Sequence, residues 1–189
     1  MNRTAPPASD ITEMGAVALS AAIASRTVSC AEGMTAYLDR IEGLNPQVDA
    51  IVALRERAEL MREVEVRGEE AARGAIRSPL HGFPLAVKEP DPVRGLPFTQ
   101  GSPVFRDRIA DTDSIMVERM RASGAITGKT DTPGFGLGSQ TYDPVCGATR
   151  NTYDPSRTSG GSSGGASYDA ATRRVELCRR GMLDGRTDR

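Results

Sequence analysis

An α/β fold, a mixed and largely parallel sheet with flanking helices, is predicted from three features of the sequence. Segments of helical periodicity alternate with short apolar runs, the order that lays strands side by side and covers them with helices. The chain has 189 residues, enough for one respectable core. Its second half is punctuated by glycine and proline from Gly128 to Gly165, a loop-rich stretch of the kind that is functional or disordered.

The elements follow in order. Residues 1–9, with Pro6 and Pro7, read as a disordered lead-in. Asp10 and Glu13 have the spacing of a capping pair and open a helix through about Ser25. Ser29 and Glu32 repeat that spacing. Met34, Tyr37, Leu38, Ile41 and Leu44 then recur at helical intervals until Asn45-Pro46 ends the face. Residues 49–54 are a short strand or a helix start, and Arg55 to Arg73 is a charged amphipathic helix. Pro84-Leu85-Ala86-Val87-Lys88 reads as a buried strand ending in a lysine. Asp113 caps a helix carrying Ile115, Met116, Val117 and Met120 that closes at Gly124, and Ala125-Ile126-Thr127 is the next strand.

Composition excludes several functions. The net charge is −1, with no basic stripe and no interleaved aromatics, so nucleic-acid binding is not expected. Cys30, Cys146 and Cys178 are odd in number and lack metal-ligand spacing, and His81 is the only histidine. Reduced thiols, no metal, no organic cofactor and a cytoplasmic location are expected. The apolar run Ala16 to Ala24 follows Asp10 and Glu13 rather than a positive leader, which argues against a signal peptide, and no stretch is long enough to span a membrane. Of 24 basic residues only Lys88 and Lys129 are lysine.

Chemistry concentrates in Asp154-Pro155-Ser156-Arg157-Thr158-Ser159-Gly160-Gly161-Ser162-Ser163-Gly164-Gly165, where paired serines are framed by paired glycines. Four readings compete. Gly128-Lys129-Thr130 prompts a phosphate-binding loop, but position 123, where its first glycine belongs, is Ser123. Gly161 to Gly165 satisfies the G-x-S-x-G of a nucleophile elbow. Such enzymes, however, place histidine after the serine, and His81 precedes it. Gly/Ser composition also describes a flexible linker, although no second domain follows. The fourth reading gives the serine hydroxyl a lysine base. Lys88 ends an apolar strand, where desolvation favours a neutral amine, and a snorkelling strand-end lysine is the alternative there.

His81-Gly82-Phe83-Pro84-Leu85-Ala86-Val87-Lys88-Glu89 resembles the lysine-bearing strand of the amidase signature family. Gly95 to Ser102, Gly128-Lys129-Thr130, Phe135 to Ser139, Thr149-Arg150-Asn151 and Asp154 to Gly165 follow in that family's order, so the resemblance covers residues 10–167. It implies hydrolysis of carboxylic amides to the acid plus ammonia or amine through a Ser-Ser-Lys triad and an acyl-enzyme. Lys88 matches the base. Ser162 matches the bridging serine, which in the family follows a cis peptide bond. Ser163, Gly160, Gly161 and Gly164 match the loop that supports it and orients the substrate. A small-molecule amide is the implied partner, and a homodimer is open for an intact relative.

In the family the attacking serine lies about two dozen residues beyond the bridging one, in a Gly-Gly-Ser turn whose amides form an oxyanion hole. Counting on from Ser162 reaches Arg186, and no serine follows Ser167. Residues 168–189 are instead an arginine-rich, atypical tail, expected to be out of frame or disordered. Residues 10–167 are then the N-terminal part of an incomplete amidase-signature domain, and the nucleophile is absent. Glu89 stands where aspartate is usual, Gly134 where glutamate is common and Cys146 where an aromatic is expected. The chain is therefore expected to be inactive by itself. The alternative is a non-catalytic binding or assembly protein, a degenerate paralogue.

Overall fold

The computed structural model describes residues 7–166. The expected tail at 168–189, Cys178 and most of the lead-in lie outside the described residues. Helices α1 (Ala8–Glu13), α2 (Ala16–Ala24) and α3 (Cys30–Val48) come first, followed by β1 (Ile51–Leu54) and α4 (Arg57–Ala72). Strand β2 (Pro84–Lys88), α5 (Ile115–Ser123) and β3 (Ala125–Thr130) complete the main body. A two-stranded ribbon of β4 (Tyr142–Asp143) and β5 (Gly147–Ala148) belongs to the segment beyond it.

The single helix expected over 10–25 is two. Met14 takes an extended conformation, its amide closing α1 on the Ile11 carbonyl, and α2 restarts from Gly15. Ser29 and Glu32 form the reciprocal capping box the spacing predicts: Glu32 N donates to Ser29 Oγ over 3.1 Å and Ser29 N to Glu32 Oε2 over 2.7 Å. Helix α3 runs past Asn45-Pro46 to Val48, and its end is made by Asp49 in a left-handed conformation. Proline removes one intrahelical donor there, while Asn45 Oδ1 accepts from Ala50 N and Ile51 N and folds the chain into β1. The cap of α5 is Ser114, whose Oγ accepts from Val117 N. Asp113 instead accepts from Arg94 N and pairs with Arg121.

The sheet has the order β1-β3-β2, with β2 and β3 parallel and β1 and β3 antiparallel, so it is mixed. Strand β3, buried at every residue, extends to Thr130, three residues past the predicted end. Gly128 is required inside it: a Cβ there would stand 2.2 Å from the Ala53 carbonyl oxygen of β1. Ala125 and Ile126 point to opposite faces of the sheet and join different cores. The larger core packs Met34, Tyr37, Leu38 and Ile41 of α3 and Leu60 and Val64 of α4 against Leu85 and Ala125. The smaller core joins Val87, Val93, Val117 and Ile126. Burying each such aliphatic side chain contributes about 1.5–3 kcal/mol. His81 is part of this scaffold: its Nδ1 accepts from Arg77 N, and its Nε2 donates to the Arg67 carbonyl of α4.

Candidate active site

The parallel register sets Lys88 opposite Thr130, so β2 and β3 end together. The carboxyl ends of neighbouring parallel strands are where α/β sheets gather their chemistry. Beyond β2 the chain turns away, with Asp91 N donating to the Lys88 carbonyl. Beyond β3 it enters Asp131-Thr132-Pro133, and from there to residue 166 it is held by hydroxyl and backbone hydrogen bonds rather than by apolar packing.

The Gly/Ser segment arrives at this edge. Lys88 Nζ lies 2.8 Å from Ser162 Oγ, across 74 residues of sequence. Both side chains are half-buried. The peptide bond between Gly161 and Ser162 is cis. Thr132 Oγ1 donates to the Ser162 carbonyl over 2.7 Å, and Gly161 N donates to the Ser139 carbonyl over 2.8 Å. Thr141 Oγ1 works in both directions, donating to the Gly160 carbonyl and accepting from Gly164 N, each over 3.1 Å. Gly165 N reaches the Asp131 carbonyl. The segment from 159 to 165 is thereby clamped on both sides of Ser162 and is not a free linker. Ser163, next along, is half-buried.

The glycines serve clearance, not unusual dihedral angles, since none between 160 and 165 takes a positive φ. A Cβ on Gly164 would fall 2.1 Å from Thr141 Oγ1, and one on Gly165 would fall 2.4 Å from Asp131 N and 2.5 Å from the Ala50 carbonyl. Gly161 meets the Gly138 carbonyl at 2.7 Å, whereas Gly160 faces open space.

Behind the serine segment sits a buried acidic group that the sequence reading missed. Asp131 is 1% exposed; its Oδ1 accepts from Thr132 N, and its Oδ2 lies 2.7 Å from Thr149 Oγ1, whose own proton goes to the Asp49 carbonyl. Burial raises its carboxyl to about 7, with the charges of Asp143 and Asp49 adding to the rise. Asp143 and Cys146 each offer a ligand-type atom, and with Asp131 these atoms lie within 4.8 Å of one another. Burial first, then Asp143 and Asp131, push the Cys146 thiol up to about 12, so it stays protonated; Cys30 and Cys146 are both unpaired thiols. Thr132, Thr141 and Thr149 were also missed. The available signal was the recurrence of threonine at 130, 132, 141 and 149, all of which the structure buries.

Lys129, the other lysine, lies in β3 and is fully buried, so Gly128-Lys129-Thr130 presents no amides to a phosphate. Its Nζ donates to the Pro97 carbonyl over 2.8 Å and stands 3.5 Å from Glu89 Oε1.

A parallel strand pair delivering a lysine to a clamped Gly-Gly-Ser-Ser-Gly-Gly loop defines a class of protein, and comparison with known proteins names it. The family model for amidases matches residues 32–177, and the chain belongs to this family, the amidase signature enzymes. An indoleacetamide hydrolase of Bradyrhizobium diazoefficiens is 36% identical over 161 residues, which are 85% of this chain and 30% of that protein. A glutamyl-tRNA(Gln) amidotransferase subunit from Acidothermus cellulolyticus is 40% identical over 166 residues, 86% of this chain and 32% of its own. A bacterial aryl acylamidase of the amidase signature family superposes with a TM-score of 0.78 at 25% identity, over 86% of this chain and 34% of its own. The chain thus spans about a third of the length of the curated relatives it matches. Among the described residues no helix is long and apolar enough to cross a membrane.

Proposed function

We propose that residues 84–166 carry the base and the bridging serine of an amidase centre, with Lys88 as base and Ser162 as bridge. The observation that supports this most directly is the 2.8 Å contact between Lys88 Nζ and Ser162 Oγ. A neutral amine at that distance accepts the hydroxyl proton of Ser162, whose oxygen then takes the proton of a second serine as that serine attacks an amide carbonyl. The tetrahedral adduct collapses to an ester. The proton returns through the same pair to the leaving ammonia or amine, and water releases the acid. Thr132 and Thr141 hold the backbone of the bridging serine, and Ser163 with Gly160, Gly161 and Gly164 shapes the loop that faces the substrate. The substrate class is a small carboxylic amide, and the setting is cytoplasmic.

The attacking serine is the part this sequence does not provide, since no serine follows Ser167. The 189-residue chain therefore hydrolyses no amide by itself and leaves a serine-directed fluorophosphonate unreacted. Measurable benzamide turnover by the purified chain would refute that statement. The Lys88–Ser162 assignment is tested in a chimera joining residues 1–166 to the remaining two thirds of the Bradyrhizobium hydrolase. The folded chimera is expected to cleave indoleacetamide, and Lys88→Met or Ser162→Ala to reduce turnover by at least ~10³-fold. A folded chimera whose activity survives either substitution removes the assignment.

A further inference from the structure

A fully buried lysine needs a reason. Lys129 sits in the central strand with no exposed surface, beside Glu89, which is 3% exposed. Placing two charges in an interior costs desolvation that their attraction only partly repays, and an apolar pair of similar size is often as stable or more so. Burial accordingly lowers the Lys129 pKa while the neighbouring Glu89 raises it. What the pair does supply is geometry, because both partners are tied to fixed backbone.

Glu89 is the residue after Lys88. Its own amide donates to the Thr130 carbonyl, continuing the β2–β3 ladder one step past the strand. Its Oε1 accepts from Thr99 N over 2.8 Å, from Gln100 N over 2.9 Å and from Thr99 Oγ1 over 3.2 Å. Lys129 Nζ approaches the same oxygen and also holds the Pro97 carbonyl, with the Phe98 ring 5.2 Å away. The turn at 97–101 is therefore fastened to the two strand ends from below. Gln100, at φ +52°, passes its carbonyl to Phe135 N over 2.7 Å, which extends the fastening to the segment after β3.

We propose that Glu89 and Lys129 are positioning residues for Lys88: together they fix the end of β2 so that the Lys88 amine stays against Ser162. This rests on the Lys88–Ser162 contact assigned under Proposed function. Glutamate at 89, where aspartate is usual in the family, is accommodated because its carboxylate still reaches both amides of the 99–100 turn. Both side chains are buried, Glu89 at 3% and Lys129 at 0% exposure. Their effect is carried entirely by where the Lys88 amine sits.

The two lysines make this measurable in the 189-residue chain, because each falls in a different peptide. Trace acetylation with acetic anhydride across about pH 6 to 11, read by mass spectrometry, gives the reactivity and titration midpoint of each amine. In Glu89→Gln and Lys129→Met, Lys88 is expected to acetylate at least ~3-fold faster near neutral pH, with its midpoint moving by ~0.5 or more, while far-UV circular dichroism is unchanged. Ser162→Ala is expected to move Lys88 in the same assay. Where either variant loses its folded signal, Thr99→Val, which removes one donor from Glu89, decides by the same readout. If Lys88 responds to Ser162→Ala but in none of the folded Glu89, Lys129 and Thr99 variants, the positioning role is overturned and the contact stands. If Lys88 ignores Ser162→Ala, the contact itself falls.

Discussion

Replacing Asp131 with asparagine should stabilise the protein at neutral pH and above. The carboxyl is 1% exposed and binds its proton up to about 7, against 3.8 for an unperturbed aspartate. Because the folded state holds that proton more tightly than the unfolded chain, folding stability falls as pH climbs from about 4 to about 7 and then levels off. Each pH unit between those values is worth about 1.4 kcal/mol, which sets a ceiling of about 4 kcal/mol at pH 8. Asparagine removes the charge and keeps the hydrogen bonds. Its Oδ1 accepts from Thr132 N as the carboxylate does, and its Nδ2 donates to Thr149 Oγ1, which already donates to the Asp49 carbonyl. It also relieves Asp143, whose Oδ2 is buried without a hydrogen-bond partner among the described residues. Urea unfolding of both proteins from about pH 4 to 8 should give a gap that opens from near zero to ~2–4 kcal/mol in favour of the asparagine variant. A gap that is constant with pH, or a less stable variant at pH 8, would show that Asp131 is not held as a buried acid.

Two further outcomes follow from the fold. Ser29→Ala removes one half of the capping box on α3 and should cost ~1 kcal/mol, read as a lowered thermal midpoint; an unchanged midpoint would mean the box contributes nothing. Among the loop glycines, Gly160→Ala faces open space and should be near neutral, whereas Gly164→Ala collides with Thr141 and should cost ~1–3 kcal/mol or more. Equal effects at the two positions would contradict the packing of the serine segment.

The scaffold was legible where one local signal dominates. Serine and glutamate three apart before an apolar face define the start of α3 because the capping box is made within four residues, and an uninterrupted Pro-Leu-Ala-Val run marks β2 because a strand buried on both faces is apolar throughout. Boundaries set by tertiary contact were not. Helix α3 outlasts Pro46 because Asn45 captures the amides of Ala50 and Ile51, and β3 continues through Gly128 because β1 approaches it too closely for a side chain. In the glycine-rich segment what the structure requires of Gly161, Gly164 and Gly165 is clearance, which no local pattern reports. From 131 to 166 the order comes from backbone hydrogen bonds between distant segments and from threonine hydroxyls bonding carbonyls such as those of Ser162, Gly160 and Asp49, and no periodicity records such pairs.

Lys88 and Ser162 could be paired from sequence while Asp131 could not be found there. Composition only singled out Lys88 as one of two lysines and the serine pair between glycine pairs; it was the resemblance of residues 81–89 and 154–165 to the amidase signature that set Lys88 with Ser162. Asp131 looks like an ordinary loop aspartate because its burial is produced by distant residues: Ala50 accepts its amide hydrogen bond, Thr149 caps its carboxyl, and Gly165 donates to its carbonyl. The Ala50 contact continues the pairing of β1 with β3, whereas Gly165 reaches the Asp131 carbonyl only when the serine segment is seated, and that seating uses Thr132 and Thr141 as well. An uncharged Asp131 should therefore seat the serine segment more firmly than an ionised one. Amide exchange at Gly164 and Gly165 should then slow in Asp131→Asn relative to the wild type at pH 8 and converge with it near pH 5. Exchange at those two amides that is indifferent to the substitution would uncouple the acid from the loop that carries Ser162.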